Sequence, residues 1–237
     1  MLRFVCLNVF IAIHSIIFCL WAILLSFFDK SGRWLRSYVN IPWSKTILWV
    51  CGIKVRAKGQ ENVRDDVPSV FMCNHQSYFD IFAVLAYLPA DFKFIMKQEL
   101  MKIPFLGLAM KRAGHIAIRR DNPREAIRSM NDVAEKIKSG TSVLVFPEGT
   151  RSVDGRLQTL KKGAFHMAIK SGCDIVPVAI SNSYRIVTKG SLKINKGSFD
   201  IHFGKPISVK GYERKNMPEL MERVREAILS QMDRNVA

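Results

Sequence analysis

The stretch that decides the fold is Ser69-Val-Phe-Met-Cys73 followed by Asn74-His75-Gln76-Ser77-Tyr78-Phe79-Asp80 and then the apolar run Ile81 to Leu88. The first run is short and uninterrupted, as a strand buried on both faces would be. The last run, together with Tyr78 and Phe79, has the length and composition of a helix that Pro89 would stop. His75 therefore falls where a strand gives way to a helix. In open α/β folds ligands bind at the carboxyl ends of strands.

Two readings of this turn coexist. Ser77-x-x-Asp80 before an apolar run is a capping box, in which Asp80 ties off free N–H groups at the helix start. In the second reading His75 is the side chain that can act as a base near neutral pH, and Asp80 accepts the proton on its other ring nitrogen. The helix N-terminus favours neutral imidazole and Asp80 favours the cation, so the base would be poised between them. One carboxylate can serve as cap and orienter at once.

Working outward, strand-like and helix-like segments alternate. Ile53 to Ala57 reads as an edge strand. Phe92 to Met96, His115 to Ile118, Ser142 to Phe146, Ile175 to Ile180 and Phe199 to Phe203 read as further strands, with Ser191 to Ile194 as an additional candidate. Helices are expected over Tyr78 to Tyr87, brokenly over Lys97 to Arg112, and over Lys161 to Lys170 and Pro218 to Met232. The clearest is Pro123 to Lys138, with Asn122 as cap, Glu125 completing a box, and an apolar stripe through Ala126, Ile127, Met130, Val133, Ala134 and Ile137. The expected fold is α/β: a mixed, partly parallel sheet flanked by helices, preceded by an N-terminal membrane-associated helical segment. Length allows one main domain plus an extension, divided as residues 1–50 and 51–237.

Phe4 to Phe28 holds no Asp, Glu, Lys or Arg. At a helical rise of about 1.5 Å per residue it reaches roughly 37 Å, enough to cross a hydrocarbon core. Lys30, Arg33 and Arg36 follow, placing the remainder on the cytoplasmic side, of the inner membrane in a bacterium. Arg33 to Val50 carries Trp34, Tyr38, Trp43 and Trp49, residues suited to the headgroup zone. One spanning helix, two helices dipping into one leaflet, and a pair packed on the body as ordinary core are all open.

The formal charge is +16 and the pI about 9.9. Nucleic acid, an anionic membrane surface or phosphorylated substrates are the partners such a balance suits. The basic residues are dispersed and form no recognised nucleic-acid motif, so no nucleic-acid partner is expected. The five cysteines are scattered without a CxxC pair, which suggests neither disulfides nor a zinc site. There is no G-x-S-x-G elbow and no P-loop, and His75 and Asp80 are poorly spaced for a metal. Cys73, two residues before His75, faces the same side of the strand and is a thinkable nucleophile or an ordinary core residue.

Three more strand ends offer polar groups. Phe146-Pro147-Glu148-Gly149-Thr150-Arg151-Ser152 follows one strand; Gly149 admits a ligand to the backbone, Arg151 can fork onto a phosphate and Glu148 can accept from a hydroxyl. Gly114-His115-Ile116-Ala117-Ile118 runs into Arg119 and Arg120, and Lys97 follows the strand at Phe92 to Met96. If the strands are parallel, His75 with Asp80, Lys97, Arg119 and Arg151 form one site with a base and a set of anion holders.

His75-x4-Asp80, the Gly114 to Arg120 passage, the Phe146 to Ser152 run and Val176-Pro177-Val178 together resemble the glycerolipid acyltransferase family, over residues 55–205. The resemblance implies transfer of a fatty acyl group from a thioester, acyl-CoA or acyl carrier protein, to the sn-2 hydroxyl of lysophosphatidic acid, giving phosphatidic acid. It implies His75 as base and Asp80 as its orienter. Glu148, Gly149 and Thr150 would place the acceptor, and Arg151, Arg119 and Lys97 would hold its phosphate. No cofactor or metal is implied. The leaving thiol has an ordinary pKa near 8.5, so one base suffices. Acylation of another lysolipid or of glycerol 3-phosphate is the alternative within the class. A non-catalytic, membrane-tethered basic binding protein is the alternative outside it.

Overall fold

The computed structural model describes residues 1–29, 33–118 and 123–232. The chain begins with a long apolar helix, α1 (Leu2–Leu25), followed by a short turn of helix, α2 (Arg33–Leu35). A π-helical turn over Arg36–Asn40 joins α2 to α3 (Ile41–Cys51). Pro42 sits in the first turn of α3, where a missing N–H costs little. Gly52 then adopts the left-handed conformation that ends the helix.

From there strands and helices alternate: β1 (Ile53–Lys58), β2 (Val70–Cys73), α4 (Phe79–Tyr87), β3 (Lys93–Lys97), α5 (Leu106–Arg112), β4 (Ile116–Ile118), α6 (Pro123–Lys138) and β5 (Val143–Val145). Then follow α7 (Lys162–Ser171), β6 (Ile175–Ser181), β7 (Gly197–Phe203) and α8 (Met217–Met232). The expected α/β architecture is what forms. The capping pair expected at Asn122 and Glu125 lies outside the described residues and side chains. Ser191 to Ile194, a candidate strand, is irregular. Its backbone is taken up locally: Ser191 N–H donates to Thr188 O, and Lys193 N–H to the Ser191 hydroxyl. Side-chain and turn bonds of this kind compete with a ladder.

The seven strands form one sheet in the order β1-β7-β6-β2-β5-β3-β4. β6, β2, β5, β3 and β4 are mutually parallel. β7 runs antiparallel to β6, and β1 runs parallel to β7 at the edge. The parallel block therefore presents five carboxyl ends along one rim.

Alternation along β2 explains the two cores. Phe71 and Cys73 face the side covered by α3 and α4, where Ile47, Val84 and Leu85 pack. Val70 and Met72 face the other side, covered by α6, α7 and α8 through residues such as Ile137, Phe165 and Ile228. Every residue of β2 is buried, as a strand covered on both faces requires. Each such aliphatic or aromatic side chain contributes about 1.5–3 kcal/mol.

α1 lies on the body rather than apart from it. Leu7 joins the core beneath α3 and α4, while Cys19 and Ala22 pack with Leu35, Val39 and Ala109. Arg3 donates to Ile194 O and Cys51 O, and Asn8 to Leu192 O. Its opposite face exposes Val9, Ile13, Ile17, Trp21 and Leu24.

β2 is shorter than β6, and the deficit is closed by a side chain. The buried Asn74 amide donates to Ile180 O at 2.8 Å and accepts from Ile180 N–H at 2.6 Å, standing in for one more residue of strand. Asn74→Ala should leave both backbone groups unpaired and lower unfolding stability by about 2 kcal/mol or more, read by thermal unfolding.

At the start of β4, His115 Nδ1 accepts from Phe94 N–H at 3.1 Å. Burial, with Lys93 nearby, pushes the imidazole pKa from 6.5 down to about 3. The unfolded chain binds this proton below about pH 6.5 and the fold does not, so the contribution is complete above that pH and lost as pH falls toward 3. His115→Gln should flatten that part of the stability-versus-pH curve.

Candidate active site

The turn after β2 is organised by one carboxylate. Asp80 is fully buried, and its Oδ2 accepts from Gln76 N–H at 2.6 Å, Ser77 N–H at 2.8 Å and His75 Nδ1 at 2.8 Å. Its Oδ1 accepts from the Ser183 hydroxyl. Ser77 does not cap α4 with its side chain; its hydroxyl donates to Val187 O instead. Asp80 thus ties the loop N–H groups and orients the imidazole with the same oxygen.

An Nδ1–H held by Asp80 leaves Nε2 of His75 with its lone pair outward. Among the described residues Nε2 has no hydrogen-bond partner, and the side chain keeps 15% of its surface exposed. The ring lies flat on Phe146, with centroids 4.0 Å apart and planes 18° from parallel. Phe146 continues the stack to Phe94. The imidazole is therefore clamped in orientation at one nitrogen and in plane by its face.

The loop after β5 is fastened to the same turn. Ser152 N–H donates to His75 O at 2.7 Å. Glu148 accepts His75 N–H on Oε1 at 2.6 Å and Gln158 N–H on Oε2 at 2.8 Å. Burial pushes the Glu148 carboxyl up, and these two N–H groups pull it back. Both oxygens are engaged with backbone, so Glu148 holds two loops in register. Gly149 has φ +74°, a backbone that a side chain would strain. Thr150 is exposed on the same loop.

Arg151 places its guanidinium 3.6 Å over the Tyr78 ring. Among the described residues its buried Nη1 has no hydrogen-bond partner. A buried guanidinium N–H without an acceptor is costly unless an anion completes it. Lys97 ends β3 on the same rim, 57% exposed and paired with Glu99 at 2.9 Å. β4 ends at Ile118 on that rim too; Arg119 itself lies outside the described residues. His75, Asp80, Glu148, Gly149, Thr150 and Arg151 are brought together, and Lys97 stands at the rim beside them.

Cys73 is not poised for attack. It is fully buried, its thiol donates to Asn74 O, and burial together with Asp80 and Glu148 holds it well above the ordinary thiol range. Such a thiol stays protonated. Among the described residues no cluster of three or more His, Cys, Asp or Glu is placed to hold a metal ion.

Four contributors lie outside the sequence reading of the site. Ser183 reaches Asp80 from 103 positions away, and Gln76 donates to Gly155 O across the loops. Phe146 enters the sequence reading as the end of a strand and the start of the Phe146 to Ser152 run, but not as the face on which the His75 ring lies. Lys161 brings its ammonium against Gly149, whereas its sequence position marks only a helix start. Of these, an aromatic at the end of the strand before Pro147 was the one signal available.

Glu148→Gln should test the latch. The amide can accept only one of the two backbone N–H groups and turns an N–H₂ toward the other. The expected loss is about 1–3 kcal/mol of stability, read by thermal unfolding.

Comparison with known proteins places this geometry. Residues 54–181 match the family model described as Acyltransferase. The chloroplastic 1-acyl-sn-glycerol-3-phosphate acyltransferase of Arabidopsis thaliana is 37% identical over 182 residues, 76% of this chain and 51% of that protein. A Chlamydomonas reinhardtii protein of the same name is 32% identical, covering 95% of this chain and 71% of its own length. The chain spans about half the length of the plant relatives it matches. The crystal structure of the 1-acyl-sn-glycerophosphate (LPA) acyltransferase PlsC from Thermotoga maritima superposes with a TM-score of 0.83 at 25% identity, covering 100% of this chain and 98% of that one. The turn that carries His75 and Asp80 and the loop that carries Glu148 and Arg151 both fall inside the matched segment, and the chain belongs to the acyltransferase family.

Proposed function

We propose that the chain transfers a fatty acyl group from a thioester to the sn-2 hydroxyl of lysophosphatidic acid, giving phosphatidic acid for phospholipid synthesis. The observation that carries this reading is the pairing of His75 Nδ1 with Asp80 at 2.8 Å beside a buried Arg151 Nη1 that lacks an acceptor. An oriented imidazole and a buried guanidinium N–H able to donate to an anion are supplied by neighbouring loops, as an acceptor with a hydroxyl near a phosphate needs. The names and similarity of the relatives support the same acceptor.

His75 Nε2 takes the hydroxyl proton as the oxygen attacks the thioester carbonyl. Asp80 stabilises the imidazolium that forms, and the proton then leaves with the thiolate, giving ester and free thiol. Arg151 holds the phosphate, with Lys97 and Arg119 as further cations. Gly149 and Thr150 contact the glycerol part, and Glu148 fixes their loop. The donor is acyl-CoA or acylated carrier protein; no cofactor takes part.

The acceptor is a lipid, and α1 fits that source. It is 24 residues long and apolar enough to cross a membrane. Yet it is bound to the body at both ends, by Arg3 and Asn8 at one and by Cys19 and Ala22 at the other. We read it as lying in one leaflet with its outer face in lipid, the body being on the cytoplasmic side where Lys30, Arg33 and Arg36 point it.

The test is thiol release from an acyl thioester in detergent micelles, with lysophosphatidic acid, other lysolipids and glycerol 3-phosphate as acceptors. Wild type should release thiol with lysophosphatidic acid, and His75→Ala should lose about 10²–10⁴-fold in kcat while remaining folded. Asp80→Asn should also lose activity in kcat, since a neutral amide cannot stabilise the imidazolium. Turnover with another acceptor alone would move the acceptor assignment and leave the base in place. No thiol release with any acceptor would overturn the reading.

A further inference from the structure

The segment after β3 presents an apolar surface that the site does not use. A 3-10 turn over Gln98–Lys102 leads through Pro104 into α5. Along it Leu100, Ile103, Phe105 and Leu108 are 39–48% exposed. Four bulky apolar side chains exposed within nine residues form a tip of the kind that marks an interaction surface.

The tip is held in shape at some cost. Phe105 has φ +59°, which a bulky residue rarely adopts. It persists because its surroundings fix it: Leu106 N–H donates to Pro104 O, Gly107 N–H to Ile103 O, and Ala109 N–H to Phe105 O. Gly107 lies so close to the Met101 backbone that a Cβ would not fit. Strain kept in this way at an exposed aromatic points to a use for the side chain.

The surroundings of the tip select its partner. Lys97, Lys102, Lys111 and Arg112 flank it, against the single acid Glu99. The segment that carries the tip also packs against α1. Ala109 of α5 packs with Cys19 and Ala22, and the Arg112 guanidinium lies 4.5 Å over the Phe27 ring. An apolar point inside a cationic collar, abutting an apolar helix, is complementary to a bilayer with anionic headgroups.

We propose that residues 100–108 are a second membrane-inserting element, a wedge whose apolar tip enters the leaflet while its basic collar sits on anionic headgroups. Because the wedge follows Lys97 directly, it would set the phosphate-holding rim at headgroup level. A lysolipid could then reach His75 without leaving the interface. This last step rests on the acyltransferase reading above; the insertion itself does not.

The experiment attaches an NBD fluorophore at Phe105→Cys and, separately, at Leu108→Cys in the full chain, with exposed Cys6 changed to Ser. Ser139→Cys, exposed at the far end of α6, serves as the reference position, and Cys6→Ser alone gives the labelling background. Vesicles contain phosphatidylglycerol or phosphatidylcholine, with doxyl-labelled lipid as quencher. The expected result is a blue shift and quenching at both wedge positions on phosphatidylglycerol, weaker on phosphatidylcholine, and neither at Ser139. Wedge probes that stay water-like while the protein sediments with the vesicles would overturn the proposal. Equal insertion on both lipids would overturn the role of the collar. A shift that appears in detergent and grows with protein concentration would make the tip a contact between copies and overturn it as well. Thiol release by the labelled proteins is read separately, so failure of the acyltransfer reading and failure of insertion give different results.

Discussion

Everything at the site depends on the buried carboxylate of Asp80. It gathers two backbone N–H groups, one imidazole N–H and one hydroxyl, drawn from the turn after β2 and the loop after β6. A carboxylate this deep is costly to bury unless its oxygens are satisfied, and here they are. The same bonds that make Asp80 affordable fix the direction of His75. Structural and chemical requirements are therefore met by one set of contacts, and neither can be changed alone.

The frame exists to hold that set still. Five parallel strands end on one rim, and the loops that leave it after β2, β5 and β6 are tied to one another. Asn74 completes the ladder to β6, Glu148 and Ser152 bind the β5 loop to His75, and Ser183 closes the ring through Asp80. Among the described residues of the site, Arg151 keeps a buried guanidinium N–H without an acceptor, with its guanidinium held over the Tyr78 ring. His75 is fixed both at Nδ1 and across its ring face, a preorganisation that suits a site meeting charge as it develops on a substrate.

The elements were legible because their signals are local. β2 is a continuous apolar run, and α6 has a clean stripe. His75, Asp80 and Arg151 were legible because catalytic residue types at strand ends carry chemical meaning. That the strands are parallel had to be assumed, since side-chain patterns do not encode strand direction. Ser183 was invisible because nothing near it in sequence announces a partner 103 residues away. Glu148 was read toward substrate, yet its oxygens are turned to backbone; a sequence shows a carboxylate in a loop but not which N–H groups converge on it. Ser191 to Ile194 resembled a strand, but the turn and side-chain bonds around Ser191 had taken up its backbone.

The central claim is that Asp80 holds His75 as the Nδ1–H tautomer, leaving Nε2 free to take a proton. The most direct measurement is ¹⁵N NMR of histidine-labelled protein in micelles at alkaline pH, with His75→Gln used to assign its signals. The account predicts a protonated Nδ1 and an unprotonated Nε2 at His75, and loss of that preference in Asp80→Ala. A His75 protonated at Nε2, or a tautomer indifferent to Asp80, would contradict it.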